Sequence, residues 1–282
     1  MTVHETARAI RLRLTPLYGE GEAKAMTRLI FHSLKGWNAT DMIIHAGDEV
    51  SEYIAEKIES ILSRLSRNEP IQYILGEAYF YGMDLHVERG VLIPRQETEE
   101  LVDMIVKSRG KESDLRVLDI GTGSGAIAIA LSRNLPFSKV TAIDISPEAL
   151  RIAEGNAEKM KAHIRFLEAD VFDFKPEAES LDIIVSNPPY IDDSERKDMD
   201  ANVLDYEPHN ALFVPDDNPL IFYSRIATIA VDALVSGGSL YFEINPRHCE
   251  DLKALLRNER FADIEAIKDI HGKERFISAR KI

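Results

Sequence analysis

The residues best equipped for chemistry stand together at Asn187-Pro188-Pro189-Tyr190. An amide oxygen on Asn187 and the backbone carbonyl of Pro188 form a pair of acceptors that suits a planar NH2 group. Two consecutive prolines stiffen the backbone, so both acceptors keep a fixed direction. Tyr190 then offers a flat apolar face to cover the bound group. Asn187, Pro188, Pro189 and Tyr190 are the candidate substrate-binding residues, and Asn187, Pro188 and Tyr190 the candidate catalytic ones.

A second stretch, Gly121-Thr122-Gly123-Ser124-Gly125, precedes an apolar run from Ala126 to Leu131. Glycines at alternate positions between a strand and a helix let the backbone bend sharply and approach a ligand, with helix N–H groups facing it. Asp144 follows 23 residues after Gly121, where a carboxylate can take both hydroxyls of a ribose; it is also placed to cap a helix at Ser146-Pro147. Asp170 lies just beyond the next strand and suits an adenine amino group, or is a solvated loop acid. Because Gly121-x-Gly123-x-x-Ala126 also meets the dinucleotide fingerprint, a nicotinamide-dependent dehydrogenase is the rival reading. Against it stand Asp170, the Asn-Pro-Pro-Tyr, and the lack of a well-placed His or Lys near these strand ends.

The elements that must position these groups follow from pattern. Ile183-Ile184-Val185-Ser186 is a buried strand that stops at Asn187, because prolines neither donate to a ladder nor continue a helix. Strands beginning at Leu115, ending at Asp144, spanning Ile164 to Leu167 and spanning Gly238 to Ile244 alternate with helices over Pro147 to Met160, 219–235 and 249–257. Such alternation predicts a parallel sheet covered by helices on both faces, with ligands at the C-terminal strand ends. Runs around Ile264–Ile267 and Phe276–Ala279 finish the domain, and Glu243, near a strand end, is a candidate to approach the site.

Residues 1–75 show helical stripes, the clearest being Val50, Ile54, Ile58, Ile61, Leu62 and Leu65, broken by Gly19, Gly21, Gly36, Asn38 and Gly47. This small all-α bundle is either a structural cap or a docking surface for a macromolecular substrate. Residues 76–95 have the aromatic and β-branched runs of a β-hairpin linker, with His86 a half-exposed strand residue; the third segment is 96–282. Arg95, Glu97 and Glu99 suit a hinge and helix-start ion network.

A length of 282 residues suits two domains. Of the net charge of −14, −12 falls on residues 96–282, which argues against a nucleic-acid partner. A single cysteine, Cys249, excludes an internal disulfide and has no CxxC partner, so it reads as a structural thiol. With no leader at Met1 to Leu14 and no apolar run near the roughly 20 residues of a membrane span, the expectation is a cytoplasmic protein without membrane association.

Asp119-Ile-Gly-Thr-Gly-Ser-Gly, Asp144 and Asn187-Pro-Pro-Tyr190 resemble the S-adenosylmethionine-dependent methyltransferases that methylate planar nitrogen. More narrowly, Gln72-Tyr73…Gly76, Phe80-Tyr81-Gly82, Val91-Leu-Ile-Pro-Arg95…Glu97-Thr-Glu99, Asp205-Tyr-Glu-Pro208 and Asp269-Ile-His-Gly-Lys-Glu-Arg275 resemble the peptide chain release factor N5-glutamine methyltransferases, densely over residues 65–282. The resemblance implies an α/β fold: a seven-stranded Rossmann-like class I methyltransferase domain whose last strand is antiparallel, after a small all-α bundle and a β-hairpin. It implies S-adenosyl-L-methionine as cofactor, S-adenosyl-L-homocysteine as product, and as partner a release factor whose Gly-Gly-Gln loop carries the methylated glutamine. A monomer is expected, and an adenine or guanine N-methyltransferase is the alternative. Carried over residue by residue, Gly121, Thr122, Gly123, Ser124 and Gly125 surround the methionine end, Asp144 the ribose, and Asp170 with Val171 the adenine, while Asn187 touches cofactor and substrate. Two departures stand out: Gln96 where relatives commonly have proline, and Val171 where some have Trp, which removes aromatic stacking on adenine at that position.

Overall fold

A computed structural model describes all 282 residues, which divide into two compact units, Met1–Gly76 with Asp200–Tyr206, and Glu77–Met199 with Glu207–Ile282. The smaller unit is built from α1 (Val3–Lys35), α2 (Ala39–Ile44), α3 (Glu52–Leu65) and α4 (Ile71–Leu75). A capping box of Thr2 and Glu5 opens α1, and Gly19, at φ 80°, breaks it into two helical segments. Ile54, Ile58, Ile61 and Leu65 on one face of α3 pack against Ile10, Leu14, Ile30 and Phe31 of α1. That is the burial their three-and-four spacing demands.

The larger unit begins with a hairpin of β1 (Glu77–Phe80) and β2 (Met83–His86). Tyr81 and Gly82 join them with both φ values positive, the two-residue turn whose twist matches paired strands. Residues 76–95 read from sequence as a linker, but Phe80, Met83 and Leu85 are buried in this unit's core beside Leu101 and Ile105 of α5 (Gln96–Arg109). Their apolar side chains supply the reason, since a free linker would leave them in water. Gln96 takes the first helical position of α5, where proline is also accommodated.

The chain then runs through β3 (Arg116–Ile120), α6 (Ala126–Asn134), β4 (Lys139–Asp144), α7 (Pro147–Met160), β5 (Ile164–Glu168) and β6 (Leu181–Ser186). The short strands β7 (Ile191–Asp192) and β8 (Phe213–Val214) flank α8 (Ala201–Tyr206), which groups with the helical unit. There follow α9 (Ile221–Ala233), β9 (Leu234–Glu243), α10 (Cys249–Asn258), β10 (Phe261–Lys268) and β11 (Glu274–Lys281). The seven-stranded sheet has the order β10-β11-β9-β6-β3-β4-β5, parallel except that β11 runs antiparallel to both neighbours. The parallel sheet expected from alternation alone therefore carries one antiparallel strand, the last in sequence, between β10 and β9, as the family resemblance implied.

Neighbouring residues feed opposite cores. Val117, Ile183 and Tyr241 join the core that holds α5 and α6, while Leu118, Ile184 and Leu240 join the one that holds α9 and α10. A sheet covered on both faces needs this, which is why its central strands read as unbroken apolar runs. No helix is long and apolar enough to cross a membrane.

Gly125 illustrates how tightly the layers meet. It opens α6 at φ 82°, and a Cβ there would lie 3.1 Å from both the Ala153 Cβ and the Ile129 Cδ1. Left-handed backbone costs a non-glycine residue about 1–2 kcal/mol and overpacking typically adds about 1–3, so Gly125→Ala is expected to destabilise by about 2–5 kcal/mol. A urea midpoint equal to that of the parent protein would rule out this packing account.

Candidate active site

Strand registers alone assemble the site. Ile120 pairs with Ser186 and with Ile143, so Gly121 of the β3 end, Asn187 of the β6 end and Asp144 of the β4 end stand at one level. Ser186 pairs with Phe242, which puts Glu243 of β9 at the same level on the other side. From β3 the chain winds toward β5 and from β6 toward the opposite edge, so this is the switch point where an open α/β sheet binds ligands.

A cavity of about 290 Å³ opens there, and its wall includes Gly121, Gly123, Asp144, Asp170, Val171, Asn187, Pro188 and Pro189. Gly121 and Gly123 have φ of 75° and 55° with open space where a Cβ would point, so a ligand can approach the backbone. The amides of Gly121 and Thr122 both donate to the Ile143 carbonyl. Asp144 holds the loop: its Oδ2 accepts from the Gly123 N–H and its Oδ1 from the Ser146 N–H, each at 2.9 Å. Burial raises the Asp144 carboxyl while these backbone donors pull it down, and burial prevails. Asp144 thus holds the turn that leads into α7 and also lines the cavity.

Thr122, Ser124 and Gly125 do not line this cavity. The Thr122 hydroxyl turns inward to donate to the Asp119 carboxylate at 2.7 Å, and burial pushes Asp119 up to about 7. The Ser124 carbonyl accepts from Asn156 Nδ2, and Asn156 also bonds both backbone groups of His86, tying the glycine loop to the hairpin end. Gly125 serves helix packing as described above.

At the far end, Asp170 Oδ1 accepts from the Phe172 N–H at 2.9 Å, so Asp170 sits in a turn with its second oxygen available. The aromatic surface absent at Val171 is present nearby: Phe172 and Phe222 both line the cavity with ring centroids 5.5 Å apart. Arg225 fixes this loop by donating to the carbonyls of Val171 and Phe174. The wall therefore offers a flexible-backbone cradle, a carboxylate, and then an acid beside aromatic rings. That sequence of groups fits a methionine-like tail, a ribose and an adenine.

Asn187 donates from Nδ2 to Thr98 Oγ1 at 3.2 Å, and Thr98 donates to Glu243 Oε2 at 2.7 Å. The sequence gives no sign of Thr98 as a site residue beyond its place in Glu97-Thr98-Glu99. Glu243 is 1% exposed, and burial raises its carboxyl against the pull of the Thr98 and Tyr190 hydroxyls and of Arg275. Tyr190 is anchored through its hydroxyl. Its hydroxyl donates to Glu243 Oε1 at 3.0 Å, its ring packs against the core beneath α9, and it lines an adjoining cleft with Asn245 and Arg275. The attraction of its hydroxyl to a buried carboxylate explains the turn away from the cavity.

Two loops complete the rim. Val91 and Leu92 of one loop and Pro208, Asn210 and Ala211 of the other line the cavity. Glu207, 4% exposed, joins them by accepting from the Arg95 guanidinium at 2.6 Å and from the Ile93 N–H at 3.2 Å. Arg95 thus pairs with Glu207, whereas Glu97 and Glu99 line a separate surface cleft.

The sequence matches two family models, the methyltransferase small domain over residues 96–206 and the PrmC N-terminal domain over residues 8–76. Among solved structures, a Thermus thermophilus 16S rRNA N2 G1207 methyltransferase in complex with AdoMet and guanosine superposes with a TM-score of 0.54 at 20% identity, covering 73% of this chain and 50% of that one. A methyltransferase from Pyrococcus furiosus gives 0.53 at 18% identity over 79% and 98%. At such identities the likeness speaks for the fold alone. The curated relatives go further: a release factor glutamine methyltransferase of Bacteroides thetaiotaomicron is 47% identical over 96% of this chain and 98% of its own. One from Streptococcus pneumoniae is 42% identical over 93% of each. With such identity along nearly the whole chain, glycine loop and Asn-Pro-Pro-Tyr included in the span, this protein belongs to the release factor glutamine methyltransferases.

Proposed function

We propose that this chain transfers a methyl group from S-adenosyl-L-methionine to the side-chain amide nitrogen, N5, of the glutamine in the Gly-Gly-Gln loop of a peptide chain release factor. The observation that carries the reading is the polarity of Asn187: its amide N–H is taken by Thr98, so its oxygen is left as an acceptor beside the Gly121–Asp144 wall. When bound, the cofactor supplies an electrophilic methyl on a sulfonium sulfur. Of the residues that line the cavity, Gly121 and Gly123 would admit its methionine end, Asp144 would accept from the ribose hydroxyls, and Asp170 with Phe172 and Phe222 would border the adenine.

An amide nitrogen is a poor nucleophile because its lone pair is delocalised into the carbonyl. Attack requires that nitrogen to pyramidalise, and positive charge then grows on its N–H groups. Asn187 Oδ1 and the Pro188 carbonyl accept those hydrogens and bind more strongly as the charge develops, which lowers the barrier rather than only tightening the ground state. Pro188 and Pro189 hold both acceptors still, and alignment of nucleophile and methyl contributes up to about 7–11 kcal/mol in favourable cases. No residue is needed as a strong base, since the nitrogen becomes acidic once methylated and its proton passes to solvent. Tyr190 acts through Glu243 to stiffen the segment rather than by covering the amide. The helical unit, with Leu12, Ile43, Ile44 and Tyr53 exposed, serves as a docking surface for the release factor body.

Methyl transfer to a purified release factor, located by mass spectrometry, tests the assignment. A single methyl on the Gly-Gly-Gln glutamine is the expected result. Intact cofactor binding without any transfer to the factor would overturn it.

A further inference from the structure

We propose that Glu243 and Thr98 are positioning residues for methyl transfer: the buried Glu243 carboxylate, acting through the Thr98 hydroxyl, fixes which end of the Asn187 amide faces the substrate. The inference rests on the reading of this site as a glutamine-amide methyltransferase.

Hydrogen-bond directions leave one arrangement. Glu243 Oε2 accepts from Thr98 Oγ1 at 2.7 Å. A carboxylate oxygen has only lone pairs to offer, so the one hydroxyl hydrogen of Thr98 is committed to it. Toward Asn187, Thr98 can then only accept, and it does so from Nδ2 at 3.2 Å. One of the two N–H groups of the Asn187 amide is held by Thr98, which fixes the NH2 end on that side and leaves Oδ1 pointing away from Thr98. A reversed amide would set its NH2 against the substrate NH2, two donors facing each other, and methyl transfer would lose its acceptor.

The same carboxylate holds the other end of the motif. Its Oε1 accepts from the Tyr190 hydroxyl at 3.0 Å, while the Glu243 carbonyl accepts from the fully buried Tyr223 hydroxyl at 2.9 Å. Asn187 and Tyr190 are thereby tied, one through Thr98 and one directly, to a single group at the end of β9. Packing alone gives no reason for a carboxylate that is 1% exposed, because an apolar side chain fills such a space without the desolvation penalty. Orientation of a polar partner does.

Thr98→Val removes the hydroxyl at nearly constant volume. It is expected to lower kcat by about 10- to 100-fold through loss of alignment, with KM for the release factor and cofactor affinity within about twofold of the parent. Thr98→Ser restores the hydroxyl and most of the rate. In an Asn187→Ala background, Thr98→Val changes the residual radiolabel transfer no further, since the residue through which Thr98 acts is gone. An unchanged kcat in Thr98→Val, or an equal loss in both backgrounds, overturns the proposal.

Glu243 supplies an independent pair. Glu243→Gln can keep Oε1 on Thr98 and turn Nε2 to the Tyr190 oxygen, so it is expected to exceed Glu243→Leu in kcat by about tenfold or more. Equal rates in the two folded variants overturn the positioning role. A parent enzyme that leaves the release factor unmethylated overturns the substrate reading and this proposal with it; an active parent beside an equally active Thr98→Val overturns the positioning role alone.

Discussion

Asn187→Ala is expected to lower kcat for release factor methylation by about 10²–10³-fold, the loss that follows removal of one pre-organised group at a developing charge. Cofactor affinity weakens but stays measurable, because Gly121, Gly123, Asp144 and Asp170 remain on the wall. The backbone carbonyl of Pro188 also survives, and it accounts for the residual rate. Steady-state methyl transfer paired with calorimetric titration of the cofactor separates the two effects. A variant with near-parent turnover would remove Asn187 from the catalytic assignment, and one that loses cofactor binding and rate in equal proportion would make it a binding residue only.

The split between what could be read in advance and what could not follows sequence distance. Gly121, Gly123, Asp144 and Asn187 were legible because each ends or follows a strand whose apolar run is unmistakable, and because parallel strands in register bring such ends to one level. The Thr98–Glu243 contact joins residues 145 apart and the Arg95–Glu207 pair residues 112 apart, from a helix, a strand and two loops. No periodicity encodes such pairings; they appear only once the sheet order is known. Tyr190 is a related case: its place in Asn-Pro-Pro-Tyr suggests a ring over the substrate, while the hydroxyl reaches a buried carboxylate on β9 that local sequence does not announce.

The Val171 end of the cavity shows the converse. Val171 removes a ring at one position, yet Phe172, the next residue, and Phe222, at the start of α9, bring two rings to the same wall. Segment 200–206 is a similar case, since it grouped with the helical unit although it lies between strands of the larger one. Local pattern gives a short helix its type, not the unit it groups with.

Asp144→Ala is expected to weaken cofactor binding by about 10²–10⁴-fold. Hydrogen bonds to a charged group contribute about 1.5–3 kcal/mol each, and the carboxylate takes two ribose hydroxyls in the proposed complex. It also accepts from the Gly123 and Ser146 N–H groups, so its removal leaves two backbone donors unsatisfied and loosens the loop that faces the methionine end. Asp144→Asn separates these contributions, because a neutral amide keeps an acceptor for one backbone donor but forfeits the charge; its affinity should fall between the two. The pH dependence has a definite sign. Burial holds the Asp144 carboxyl above its ordinary range, and only its ionised form is an acceptor at both oxygens. Affinity of the parent protein therefore weakens as pH falls through that raised value, and Asp144→Asn loses this part of the slope. Titration of the cofactor across pH for all three proteins, with urea midpoints recorded alongside, is the check. An Asp144→Ala protein that binds the cofactor like the parent would show that this carboxylate serves the α7 turn alone.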